Sequence, residues 1–173
     1  MSRPILLIVF LLTAVGLFDR NLSACGDKFL VLGRAVGYGS LLKASRPGTV
    51  VLYRTPSLPK VFNNGGDFDL VMDVAGHRLS TVTDQTALAR VLAGGKIDLV
   101  LADPTTSRQI DGLVNTSSTA LVVPILVDSA VNQRMLLEKE FGCVMPLAEP
   151  RKVIDALDRA MKLRAKKFAA HTA

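Results

Sequence analysis

The chain has 173 residues, of which 49% are hydrophobic and 5% aromatic, with no Trp, two Cys, two His and a formal net charge of +6. A length in the range of about 100–200 residues fits one domain, and the apolar content excludes a disordered chain. Two cysteines exclude a disulfide-rich scaffold, and two Cys with two His give no zinc-ligand spacing.

The N-terminus begins Met-Ser-Arg-Pro, and Ile5 to Phe18 then runs without a charge until Asp19 and Arg20. As a helix this run is about 21 Å long at roughly 1.5 Å per residue, short of a bilayer core of about 30 Å. A basic start, a run of this length and small residues beyond it predict a secretory signal peptide over residues 1–24. A buried core helix or an uncleaved anchor is the plainer alternative. Leu22-Ser23-Ala24-Cys25 resembles a bacterial lipobox, which makes Cys25 the lipidation candidate, although Asp19-Arg20-Asn21 separates it from the apolar run. Otherwise an ordinary signal peptidase cuts near Ala24. No later segment approaches 18 uncharged apolar residues, so residues 25–173 are expected to be soluble. The expected compartment is outside the cytosol, either periplasmic or as a membrane-anchored lipoprotein.

Residues 25–47 read as an N-terminal extension, with Lys28–Leu32 as a strand candidate and a helix around Leu41–Ser45. Gly37-Tyr38-Gly39 does not continue into a dinucleotide-binding Gly-x-Gly-x-x-Gly pattern. From residue 48 a regular alternation is predicted, extending to 168 and leaving 169–173 as a tail. Thr49–Tyr53 is the first strand; helical spacing over 58–75 is broken by Asn63-Asn64-Gly65-Gly66 and stopped by Gly76. His77–Val82 is the second strand, and Asp84 caps a helix over Ala87–Ala93 closed by Gly94-Gly95. Ile97–Ala102, a helix around Ser107–Val114, Ala120–Val127, a helix over Val131–Phe141 closed by Gly142, and Cys143–Leu147 follow. Pro150 opens the last helix, with Val153, Ile154, Leu157, Ala160 and Met161 on one face. Strands alternating with helices predict an α/β fold: a doubly wound, five-stranded parallel sheet of flavodoxin-like order 2-1-3-4-5. In such folds sites lie at the carboxyl ends of the strands.

Those ends carry Tyr53-Arg54-Thr55-Pro56, Asp103-Pro104, Asp128-Ser129-Ala130 and Ala148-Glu149-Pro150. With AGHRLSTVTDQTALARVLAGGKIDLVLAD (75–103), PILVDSA (124–130) and GCVMPLAEP (142–150), the region 49–163 resembles the receiver domain of bacterial two-component response regulators. The resemblance implies that Asp103 matches the phosphoacceptor aspartate and Ser129 the hydroxyl residue that contacts the phosphoryl group. It also implies departures. The family's paired magnesium-holding acids appear as Tyr53 and Arg54, and its Lys-Pro appears as Glu149-Pro150.

Magnesium at such a site is held by carboxylates, waters and phosphate oxygens. Asp103 alone is a poor ligand set, and Arg54 puts positive charge where the metal would sit. At about 4 Å and an effective dielectric near 20, one unit-charge contact is worth about 4 kcal/mol. Replacing lysine by Glu149 reverses a contribution of that size. The expectation is an exported, non-enzymatic receiver-like module with a vestigial site at Tyr53, Arg54, Asp103, Ser129 and Glu149, acting by protein–protein contact through residues 130–165. The alternative is a phosphoaccepting receiver that uses Asp103 in two-component signalling. No cofactor, metal or catalytic residue is expected. Asp103 is read as pairing with Arg54 or capping the helix that follows it.

Other signals have plainer readings. Asp103, Asp128 and Glu149 form a candidate acidic cluster for a divalent cation, with an ion-pair network through Arg54 as the competing account. Ser129 beside Asp103 lacks the adjacent base a hydrolase requires, since His77 lies outside the matched pocket and His171 in the tail. Cys143 reads as a buried, inert thiol. The basic residues of the last helix suit nucleic acid or anionic lipid in principle. Export and the lack of interleaved aromatics argue against nucleic acid, and membrane contact is expected only through lipid on Cys25. Asn115-Thr116-Ser117 is a formal glycosylation sequon, without use in a bacterial protein.

Overall fold

A computed structural model describes residues 42–59, 67–127, 131–147 and 149–169. The predicted signal peptide, Cys25, the Lys28–Leu32 strand, Asn63–Gly66, Asp128, Ser129 and His171 lie outside these residues. Five strands form one parallel sheet: β1 (Thr49–Tyr53), β2 (Arg78–Val82), β3 (Leu99–Ala102), β4 (Leu121–Leu126) and β5 (Met145–Pro146). Five helices connect or follow them: α1 (Asp67–Ala75), α2 (Gln85–Gly94), α3 (Pro104–Ser117), α4 (Val131–Phe141) and α5 (Pro150–Ala169). The strand order is β2-β1-β3-β4-β5, the flavodoxin-like order expected from the alternation.

Burial on both faces is what makes the strands near-continuous apolar runs. Val50 and Leu52 of β1, Leu99 and Leu101 of β3, and Val123 and Ile125 of β4 pack with Phe68 and Met72 of α1 and Val153, Leu157 and Met161 of α5. The alternate residues Val51, Val100 and Val122 point the other way, to Leu88 and Leu92 of α2 and Ile110 and Val114 of α3. Register keeps these sets together: Val51 lies opposite Val100, and Val100 opposite Val122. A one-residue slip would exchange the two faces.

The ends of the elements differ from the sequence expectation in instructive ways. Residues 42–46 form a turn and bends, not the expected helix. Leu42 and Ala44 are buried against Val71, Ala75 and Ile154, and the Ala44 amide donates to the Ala75 carbonyl at 3.1 Å. That tertiary bond takes the place of a helical partner. The fifth strand spans two residues instead of 143–147. Pro124 of β4 has no N–H to give either neighbour, and the β4–β5 ladder starts only beyond it, at Ile125 opposite Met145. Helix α3 is longer than expected, because the Asp103 cap and Pro104 at its first position start it at once. Gly142 closes α4 with φ +77°, where an added Cβ would lie 2.7 Å from Leu163 Cδ2.

The last helix buries all five of its expected face residues, Val153, Ile154, Leu157, Ala160 and Met161. Helix α4 buries only Leu137. One fully buried leucine is worth about 1.5–3 kcal/mol, so α4 is held far more weakly than α5. Among the described residues no helix is long and apolar enough to cross a membrane.

Candidate functional site

The carboxyl end of the sheet centres on Asp103, the residue after β3. It is 9% exposed. Its Oδ1 accepts from the Thr105 and Thr106 amides, both at 3.0 Å. Its Oδ2 accepts from the Thr106 hydroxyl at 2.6 Å and from the Thr55 hydroxyl at 2.9 Å. This is a helix N-cap extended by two side-chain donors, so both oxygens are engaged. Burial alone would raise the pKa, but the donors from Thr106, Thr55 and Thr105 hold the carboxyl below its ordinary value. The helix-capping alternative for Asp103 therefore describes the structure.

Among the described residues, the other expected site residues Tyr53, Arg54 and Glu149 make no side-chain hydrogen bond or ion pair to it. Tyr53 is buried in the apolar cluster of α2 and α3, and burial, then Asp84 and Asp103, raise its hydroxyl pKa. The Arg54 amide extends the sheet by donating to the Val82 carbonyl at 2.7 Å. Its side chain is half-buried, and its Nε is buried without a hydrogen-bond partner. Among the described residues no ion pair joins Arg54 to Asp103, so of the two readings of Asp103 the structure shows the cap. The reason is that neutral donors, three from Thr105 and Thr106 and one from Thr55, have already filled the Asp103 lone pairs. Glu149 is exposed and faces Lys152 across 4.0 Å on the first turn of α5, while its carbonyl accepts from the Lys152 and Val153 amides. Ser129 and Asp128 lie outside the described residues. Among the described residues no group of three or more His, Cys, Asp or Glu is placed to hold a metal ion.

No protein-family model, curated protein or solved structure matches this chain.

Thr55 and Thr106, the partners that fix Asp103, were not singled out in the sequence. Thr106 carries a readable signal, since Asp-Pro-Thr-Thr is an N-cap followed by proline and two amides in capping range. Thr55, 48 residues away, carries none.

A second polar cluster lies at the amino end of the sheet, where no site was expected. Gly48 N–H donates to His77 Nδ1 at 3.2 Å, and Thr49 N–H to Asp98 Oδ2 at 2.7 Å. Asp158 on α5 takes the Ser45 amide at 3.0 Å and the Arg46 amide at 3.1 Å. Arg164 pairs with Asp98 at 2.8 Å and donates to the Thr119 carbonyl at 2.9 Å. Burial lowers the His77 pKa, against opposing pulls from Asp158, the Gly48 amide bond and Asp98. With Nδ1 accepting, His77 is the neutral form with its proton on Nε2, and that atom is buried without a partner. The cluster fastens residues 45–49 to the domain and offers no nucleophile or ligand set. Cys143 is buried with its Sγ 3.6 Å from the Ala156 carbonyl, and burial raises its pKa, as an inert thiol requires.

Proposed function

We propose that this protein is an exported receiver-like module that acts by protein–protein contact and no longer transfers phosphate. The observation that carries this reading is the engagement of Asp103: four hydrogen bonds occupy both carboxylate oxygens. A phosphoacceptor needs one oxygen free to attack phosphorus and another to bind magnesium. Reaching that state here means breaking the cap of α3 and releasing Thr55. The replacements at Tyr53, Arg54 and Glu149 support the same reading, because they supply no carboxylate beside Asp103 and place an acid on the α5 side.

A contact role draws support from α4, within the 130–165 surface. Val131, Met135 and Leu136 are 69%, 64% and 65% exposed, and Val127 before the helix is 43% exposed. Large apolar side chains rimmed by charge are costly to leave in water and mark an interaction surface. Export rests on the uncharged run Ile5–Phe18 and its basic start.

Incubation with Mg²⁺ and acetyl phosphate, read by intact-mass spectrometry, tests the loss of phosphotransfer. The expected result is no mass gain. A stable phosphoryl adduct on the native chain that disappears in Asp103→Asn overturns the reading and favours the phosphoaccepting receiver.

A further inference from the structure

We propose that the outer face of α5 is a docking surface for an anionic lipid bilayer, working together with the N-terminal segment. Helix α5 turns its apolar side to the sheet and leaves Lys152, Arg159, Lys162 and Lys166 exposed on the opposite side, at helical spacing. One acid, Asp155, interrupts this stripe, and Arg151 takes it at 3.3 Å. The neighbouring Asp158, a second acid on this face, accepts from the Ser45 and Arg46 amides. Those two bonds also bring the exposed Arg46 alongside the stripe. Lys152 pairs with Glu149 at 4.0 Å, but among the described residues no acid pairs with Arg159, Lys162 or Lys166, so cations outnumber acids and the face keeps a net positive charge. An open groove of about 520 Å³ runs along it, between α5, Ser45, Pro146 and Arg134.

The path of the chain selects the partner. Residue 42 is buried against Ile154 of α5, so the N-terminal region joins the domain beside this same helix. That region carries the run Ile5–Phe18 and the lipidation candidate Cys25. From residue 25 to residue 42 the chain spans at most about 60 Å, at roughly 3.3–3.6 Å per residue. The docking rests on Cys25 being lipidated or the apolar run being kept as an anchor, either of which holds a membrane within reach of α5. One acyl chain binds only marginally, and a polybasic patch is the usual second signal. Each cation near an anionic surface strengthens partition about fivefold. The stripe has no aromatic residue, so the contact is electrostatic and superficial. This inference does not depend on the fate of Asp103.

The test is co-sedimentation of the full chain with phosphatidylcholine vesicles, with and without phosphatidylglycerol. The expected result is a preference for the phosphatidylglycerol vesicles that salt weakens. Neutralising Lys152, Arg159, Lys162 and Lys166 to Gln should reduce that preference by nearly three orders of magnitude. Binding to pure phosphatidylcholine should stay unchanged. A control that neutralises Arg78, Arg90, Lys96 and Lys139, with the same change in net charge, should keep the preference. Circular dichroism of both variants checks that they are folded. Equal partition on the two vesicle types, or equal losses in variant and control, overturns the proposal. Binding to polyglutamate without binding to phosphatidylglycerol vesicles also overturns it, in favour of an acidic polypeptide partner.

Discussion

At the carboxyl end of the sheet a single carboxylate, Asp103, gathers four donors onto itself. At the amino end Asp98, Asp158 and His77 each reach out to the backbone of one segment, residues 45–49. Three of the four Asp103 bonds come from residues two or three positions away. The amino-end bonds span 29, 49, 112 and 113 residues. The first arrangement finishes a helix; the second fastens a segment that has no regular structure of its own. In a fold of this class the carboxyl end is the expected place for chemistry. Here Asp103 at that end caps a helix, and the amino end also holds its acids on backbone amides.

The contrast is open to breaking at either end. The largest effect is expected from Asp103→Ala, which removes the α3 cap and strands the Thr55 and Thr106 hydroxyls. Urea unfolding should show a loss of about 2–4 kcal/mol, while Asp103→Asn, which keeps an acceptor, should lose less than half of that. If Asp103→Ala unfolds at the native midpoint, the carboxylate is not structural and the site reopens as a candidate for chemistry.

Gly48→Ala is the counterpart at the amino end. Its Cβ would collide with the terminal methyl of Met161 and fall 2.8 Å from Asp98 Oδ2. The acceptor of the Thr49 amide must then move, at a cost of about 1–3 kcal/mol. Amide exchange at Thr49 should rise in step, and unchanged protection there would show that Asp98 does not hold the segment.

The smallest effect concerns pH. The folded-state pKa of His77 is lowered from its ordinary 6.5, so the unfolded chain takes up this proton first. Its contribution to stability is complete above pH 6.5 and is lost as pH falls from there through the folded-state value. Asp103 and Asp158 are also lowered, from 3.8, and their contributions are lost only at still lower pH. Stability measured between pH 7 and 5 should therefore decline in the native protein. The decline should flatten in His77→Asn, whose amide oxygen replaces Nδ1 as an acceptor without titrating. An equal slope in that variant would remove His77 from the amino-end cluster.

The layout of the sheet was readable because each element announces itself locally. The β-branched run at 49–53, the apolar stretch at 97–102, the cap at Asp84 and the glycines at 76 and 142 are short-range signals, and each has its counterpart in the structure. Where tertiary contacts overrode local preference, the reading went astray. Residues 42–46 gave up helix for a bond to the end of α1 and burial against α5. The strand at 143–147 shrank to two residues beside Pro124. At the candidate site, the position of Asp103 followed from the strand pattern, but its engagement depended on Thr55 arriving from the loop after the neighbouring strand β1. Arg54 looked like the natural partner of Asp103 on charge alone, yet hydroxyls and amides reached the carboxylate first.

Sequence alone determined the α/β class, the parallel order of the strands and the apolar faces of the helices, because periodicity and capping act over a few residues. It also set the uncharged N-terminal run and the basic stripe of the last helix, which are properties of composition and spacing. Tertiary structure decided which end of the sheet is sealed, which acids are spent and which cations stay uncompensated. These depend on pairs of groups brought together across dozens of residues, and no local pattern encodes such a meeting. A carboxylate becomes a cap or a site according to the donors that the fold delivers to its oxygens.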